Sequence, residues 1–106
     1  MIEQLRRFEI LLPCQHNDGR RVPREVLTTT YQDLFLRFGG ISIDTQTVRG
    51  VWLHEEMEYE DELVRVVIEV ASTEGTIDFF SDFKEILMER FEQIEIWITS
   101  YLIDRI

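Results

Sequence analysis

Four stretches of the chain have the short apolar or alternating pattern that is typical of β-strands. They are RRFEILLP at 6–13, ISIDTQTVRGVW at 41–52, ELVRVVIEV at 62–70 and QIEIWITSYLI at 93–103. The third stretch is rich in β-branched valine and isoleucine, which favour strands. We predict that these stretches form four strands, and that residues 53–61 form an acidic turn between the second and the third.

Two other stretches repeat their apolar residues every three or four positions, as a helix with one buried face does. The first starts at Pro23, which suits the first helical position, and stops before Gly39-Gly40, a pair typical of a helix C-cap. The second follows Ser72 and Thr73, which are candidate N-caps. The positions on the buried faces are Val26, Leu27, Thr30, Tyr31, Leu34, Phe35 and Phe38, then Ile77, Phe80, Phe83, Leu87 and Phe91.

The resulting order, β-α-β-β-α-β, predicts one α+β domain that spans residues 1–106. Right-handed crossovers would place both helices on one face of a four-stranded antiparallel sheet, which is the ferredoxin-like arrangement. A chain of this length has enough apolar residues for a single core.

Alternation along the strands also assigns their residues to the two faces of the sheet. The residues expected to meet the helices are Phe8, Ile10, Leu12, Val64, Val66, Ile68, Val70, Ile94, Ile96 and Ile98. The residues expected on the opposite face are Glu9, Leu11, Leu63, Arg65, Val67, Glu69, Glu95, Trp97, Thr99 and Tyr101. A sheet face in contact with water is normally polar, but half of the second set is apolar or aromatic. We therefore predict that this open face is a contact surface.

Two kinds of occupant for the open face stay possible at this point. The first is a second copy of the chain, packed face to face as a homodimer, or another protein partner. The second is a small molecule in a pocket walled by Trp52, Trp97 and Tyr101, where Arg65 would pair with an anionic group.

The charge of the chain narrows the classes of partner. With 21 acids against 11 bases, the net charge is −10, which argues against nucleic acid and anionic membrane surfaces as partners. Cys14 is the only cysteine, and no apolar leader or membrane-length run is visible, so we expect a cytoplasmic protein.

His54 is the best candidate for chemistry in the chain. Six acids follow it within residues 55–62, and the usual pKa of histidine lies close to neutrality, as general acid–base catalysis requires. Glu62, Arg49 and Arg65 could complete such a site. The alternative is a hydrated hairpin tip, because clustered like charges repel one another and remain in water. Two histidines fall short of a zinc ligand set, and we predict no metal and no cofactor.

Two other motifs carry no predicted activity. Cys14 and His16 lack the orienting group that a Cys–His nucleophile needs. Gly39-Gly40 follow a helix instead of opening one, so they do not form a phosphate-binding loop.

The element order, the paired phenylalanines of the second helix and the aromatic sheet face resemble the ferredoxin-like and dimeric α+β-barrel group. In addition, TVRGVWLHEEMEYEDELVRVVIEV at 47–70 resembles small bacterial domains of unknown function, in which a Gly-x-Trp strand leads through an acidic hairpin into an aliphatic strand. The first resemblance implies the fold, and a pocket enzyme or sensor as one possible function. The second implies no activity, because a shared fold does not define a function.

Overall fold

The chain folds into two helices and one antiparallel sheet of five strands, which confirms the predicted α+β class. The computed structural model describes residues 1–106. The elements are β1 (Glu3–Pro13), α1 (Arg24–Phe38), β2 (Ser42–Ile43), β3 (Val48–His54), β4 (Met57–Val70), α2 (Glu74–Arg90) and β5 (Trp97–Arg105). The strand order is β2-β4-β1-β5, and β3 also pairs with β4.

The strand predicted over 41–52 is divided into two in the structure, which raises the number of strands to five. β2 pairs with Val66 and Val67 of β4, whereas β3 pairs with Met57–Leu63. The interruption at 44–47 has the sequence DTQT, and all four of these residues are exposed. None of these residues is apolar, so extending the strand through this segment would bury no apolar side chain.

The turn between β3 and β4 is much shorter than the predicted 53–61. It consists of Glu55 and Glu56, which connect the paired residues His54 and Met57. Their φ angles are 50° and 67°, and two successive positive φ values match the twist of a two-residue hairpin. The acids that follow Glu56 therefore belong to β4 and not to a loop.

The first part of β4 extends beyond the end of β1. Leu63 pairs with Pro13, the last residue of β1, and also with Val48. The residues of β4 before Leu63 pair with β3 alone. Residues 49–62 therefore form a two-stranded projection, which we call the arm, and the molecule measures 48 × 29 × 26 Å.

One buried cluster joins the two helices to the sheet. Its members are Phe8, Ile10, Leu12, Val22, Leu34, Val66, Ile68, Phe80, Phe83, Leu87, Phe91 and Ile96. The ring of Phe80 stacks on that of Phe8 with centroids 4.0 Å apart, and this contact packs α2 against β1. The predicted inward positions of β1 and the centre of β4 are thus confirmed.

The predicted helix ends are close to the observed ones. Pro23 immediately precedes α1, and Gly39 ends the helix in a left-handed conformation with its N–H donating to the Phe35 carbonyl. Thr73 is the N-cap of α2, and its hydroxyl oxygen accepts a hydrogen bond of 3.1 Å from the Thr76 N–H. These caps satisfy backbone groups that helix ends leave without partners.

The last strand starts later than the predicted residue 93. After α2 the chain turns at Glu92, whose φ is 55°, and the Gln93 N–H donates to the Met88 carbonyl. This turn uses residues that were assigned to the strand, and it leaves Ile94 50% exposed although an inward position was predicted. Only from Trp97 onward does the chain pair with β1.

Candidate binding site

The open face is the sheet surface whose side chains alternate with those of the buried cluster. On it, Trp97 of β5 lies opposite Leu11 of β1, and Leu11 lies opposite Arg65 of β4. Trp97 and Tyr101 are 61% and 46% exposed. Val67, which was predicted to share this surface, is only 5% exposed and therefore contributes little to it.

The arginines of the open face already have carboxylate partners. Arg65 lies 3.5 Å from Glu9 and 3.2 Å from Asp44. Similar pairs join Arg7 to Glu69 at 3.7 Å and Arg105 to Glu3 at 3.3 Å. Arg65 is thus not a free cation for the anionic ligand that the sequence suggested.

The arm continues the open face as an aromatic surface. Trp52 and Tyr59 are directly paired across the two strands, and their rings stack with centroids 4.8 Å apart. The Trp52 indole N–H donates to the Asp61 carboxylate over 2.5 Å. Stacking on one side and the hydrogen bond at the edge together fix the orientation of this indole.

A cavity of about 310 Å³ lies where the arm meets the sheet. Its lining residues are Leu11, Pro13, Gly50, Val51, Trp52, Asp61, Leu63, Gln93, Glu95, Ile96 and Trp97. A Cβ atom at Gly50 would come within 3.0 Å of Leu63 Cδ1, so the glycine of the Gly-x-Trp sequence lets Leu63 pack there. The two tryptophans predicted for a pocket are thus brought to one cavity.

The polar part of this cavity differs from the expectation. Tyr101 and Arg65 are absent from its lining, and the charged residues present are Asp61 and Glu95. Glu95 accepts a 2.7 Å hydrogen bond from Lys84 Nζ, and this bond is the main cause that lowers the pKa of Glu95. Both carboxylates were missed from the sequence, since Glu95 was assigned only to a face and Asp61 only to the turn.

The structure does not assemble the candidate acid–base residues. By alternation, His54 projects from the same face of the arm as Trp52, whereas Arg49 and Glu62 project from the other face. The nearest charged partner of His54 is the adjacent Glu55, at 3.8 Å, and His54 does not line the cavity. No group of three or more potential metal ligands is present.

Cys14 and His16 are both buried, but they serve the packing of the first loop. Burial is the main cause that raises the pKa of the Cys14 thiol, and the charge of Glu62 adds to it. His16 Nδ1 lies 3.1 Å from the Phe91 carbonyl oxygen, and Nε2 lies 3.5 Å from the Glu92 carboxylate. The histidine therefore connects this loop to the end of α2.

The fold and the cavity define a small α+β domain with an exposed aromatic sheet face. No protein-family model, no curated protein and no solved structure matches the chain. No helix is both long enough and apolar enough to cross a membrane.

Proposed function

We propose that this protein is an interaction domain that forms a homodimer through its open face. The observation that carries the proposal is the exposure of Trp97 and Tyr101, 61% and 46%, on the surface of a sheet. Covering large aromatic side chains removes apolar area from water, and this burial stabilises association. Large exposed aromatic side chains on a sheet face are characteristic of a contact surface.

Charge favours a second copy of the chain as the occupant. Two molecules that each carry a net charge of −10 repel one another over most of their surfaces. The open face is an exception, because Arg7, Arg65 and Arg105 each lie within 4.0 Å of a carboxylate on the same face. Two such faces can approach with little mutual repulsion, as an isologous interface requires.

The size of the surface indicates how the arm contributes. The three long strands of the open face (β1, β5 and β4 from Leu63 onward) lie about 4.8 Å apart and are about nine residues long, so they cover roughly 400 Å² in projection. A stable interface normally buries about 800 Å² on each partner. The sheet alone falls below this value, so the aromatic surface around Trp52 and Tyr59 takes part in the proposed interface.

The proposed fold is the ferredoxin-like one, with β2 and β3 together in the place of its second strand. The antiparallel order of β4, β1 and β5 supports it, as does the single buried cluster to which both helices contribute. The free and buried Cys14 supports a reducing compartment such as the cytoplasm.

The alternative function, an enzyme or sensor with His54 as its acid–base group, has less support. A general base has to lie within hydrogen-bond reach of the reacting group. His54 projects from the arm outside the cavity, and Arg49 is occupied by Glu60 at 2.6 Å on the opposite face. The cavity alone remains as an argument for a small-molecule ligand.

Sedimentation velocity of the Trp97→Glu variant tests the homodimer. We expect the wild type to sediment as a dimer and the variant as a folded monomer, because a carboxylate at this position would be buried without a partner. Leu36→Glu is the matched control, since Leu36 is 82% exposed on α1 and lies outside the open face. A wild type that remains monomeric, or a variant that remains dimeric, would contradict the proposal.

A further inference from the structure

The cavity at the base of the arm has acidic and aromatic walls and no basic residue. Asp61 and Glu95 are its charged lining residues, and the indoles of Trp52 and Trp97 are its largest side chains. An anionic ligand would be repelled by the Asp61 carboxylate. The negative charge in the cavity therefore disfavours the anionic ligand that Arg65 suggested in the sequence.

The two carboxylates are not equivalent. Glu95 is neutralised by Lys84 at 2.7 Å. Asp61 has no basic group within 4.0 Å, and its hydrogen-bond partner is the neutral indole of Trp52. One negative charge in the wall of the cavity is thus not balanced by a cation of the protein.

We propose that this cavity binds a small organic cation of the alkylammonium class, with Asp61 as its counter-ion. The face of an indole attracts a cation more strongly than any other aromatic side chain does. Trp52 stacks on Tyr59 and lies 6.4 Å from the His54 ring, and its indole also lines the cavity, where it can contact a ligand. The net charge of −10 also raises the local concentration of cations around the protein.

Size and donor type select an organic cation over a metal ion. Calcium and magnesium need about six oxygen ligands, and the cavity wall offers two carboxylates, one of them already bonded to Lys84. A volume of about 310 Å³ lies at the lower end of the range for small-molecule pockets. Apolar wall residues such as Leu11 and Leu63 would contact the methyl groups of an alkylammonium ion.

This inference does not rest on the homodimer, although Trp52 and Trp97 belong to both surfaces. Asp61 lies in the cavity wall and is not part of the apolar patch of the open face. A change at Asp61 therefore tests the cation site, whereas Trp97→Glu tests the dimer. Sedimentation velocity of the Asp61 variant shows whether it still dimerises. Failure of the cation site can therefore be told apart from failure of the homodimer.

Titration with choline chloride, followed through the two indole N–H signals in ¹H–¹⁵N spectra, tests the site. We expect saturable shifts of the Trp52 and Trp97 signals. The neutral isostere 3,3-dimethylbutan-1-ol should bind at least roughly fivefold more weakly, since it lacks the charge that the indoles and Asp61 attract. Equal binding of the two probes, or the same shifts with sodium chloride, would overturn the proposal.

A pair of charge-removing variants locates the counter-ion. Asp61→Asn should weaken choline binding roughly fivefold, because the amide keeps the shape of the side chain and loses its charge. Glu60→Gln is the control, since Glu60 precedes Asp61 on the opposite face of the arm and should leave binding unchanged. Equal loss of choline affinity in both variants would mean that the overall negative charge of the arm attracts the cation. It would contradict the assignment of Asp61 as the counter-ion.

A variant outside the arm keeps the test valid if Asp61→Asn disturbs the hairpin. Trp97→Leu removes one indole from the wall at a position that is 61% exposed. The arm is then intact, and the Trp52 signal should show at least a roughly fivefold weaker response to choline. An unchanged affinity would exclude the proposed cation site.

Discussion

The two halves of β4 belong to one continuous strand but are held in place by different forces. From Leu63 to Val70 the strand pairs with β1, and Val66 and Ile68 are fully buried. From Met57 to Glu62 it pairs with β3 alone, and none of its residues is buried. The alternation of side chains is the same in both halves, so burial and not period distinguishes them.

The difference in burial implies a difference in stability. Burying one aliphatic side chain contributes about 1.5–3 kcal/mol, whereas an exposed cross-strand pair contributes about 0.2–1 kcal/mol. The arm has no fully buried side chain and depends on cross-strand pairs, such as the half-buried Trp52 with Tyr59. We expect the arm to open locally at a lower free energy than the rest of the sheet.

The largest expected contrast is in the free energy of unfolding, between truncating an apolar residue of the inner half of β4 and truncating one of the arm. Ile68→Ala should lower the free energy of unfolding by about 2–5 kcal/mol, because Ile68 is fully buried in the cluster. Leu53→Ala should change it by less than about 0.5 kcal/mol, since Leu53 is 73% exposed on the arm. Urea unfolding followed by far-ultraviolet circular dichroism measures both, and similar losses would show that the arm is part of the cooperative core.

The same boundary separates what could be predicted from the sequence from what could not. In the inner half, the β-branched residues Val64, Val66 and Ile68 recur at every second position, and this pattern predicted both the strand and its buried face. In the outer half, acidic residues are uncommon in strands, so the acids before Glu62 were assigned to a turn. The regular spacing of Glu58, Glu60 and their neighbours was the signal for a strand.

The candidate site was predicted only in part. Alternation placed Trp97 on the open face, and Trp52 was expected in the same pocket, where the structure has it. The approach of Asp61 and Glu95 depends on the turn after α2 and on the length of the arm. Neither feature is local in sequence, so no spacing rule brings these two carboxylates together.

A smaller effect is expected at the tip of the arm, where two residues have an unfavourable backbone conformation. Glu55 and Glu56 have φ angles of 50° and 67°, which cost residues with a Cβ atom about 1 kcal/mol or more. The double variant Glu55→Asn, Glu56→Gly has the residues that this turn prefers and should stabilise the arm by about 1 kcal/mol. Hydrogen exchange of the arm amides measures this gain.

The control for the tip removes charge without changing the backbone preference. Glu55→Gln with Glu56→Gln eliminates the same two carboxylates but keeps side chains that disfavour positive φ. Protection of the arm should then change much less than in the Asn-Gly variant. If the glutamine variant protects the arm equally, repulsion between the acids and not the φ angles limits its stability.

The smallest expected effect concerns the ion pair between Lys84 and Glu95 beside the cavity, which lies outside the arm. Lys84 lowers the pKa of Glu95 from the usual value of 4.5, so the folded state favours the ionised carboxylate. The resulting stabilisation is present above pH 4.5 and is lost as the pH falls through the lower pKa of the folded state. Because Glu95 is half exposed, the stabilisation from this ion pair is at most about 1 kcal/mol. Urea unfolding of the wild type and Lys84→Gln should therefore differ at pH 7 and converge in acid, whereas a difference that does not depend on pH would mean that Lys84 acts by packing and not by charge.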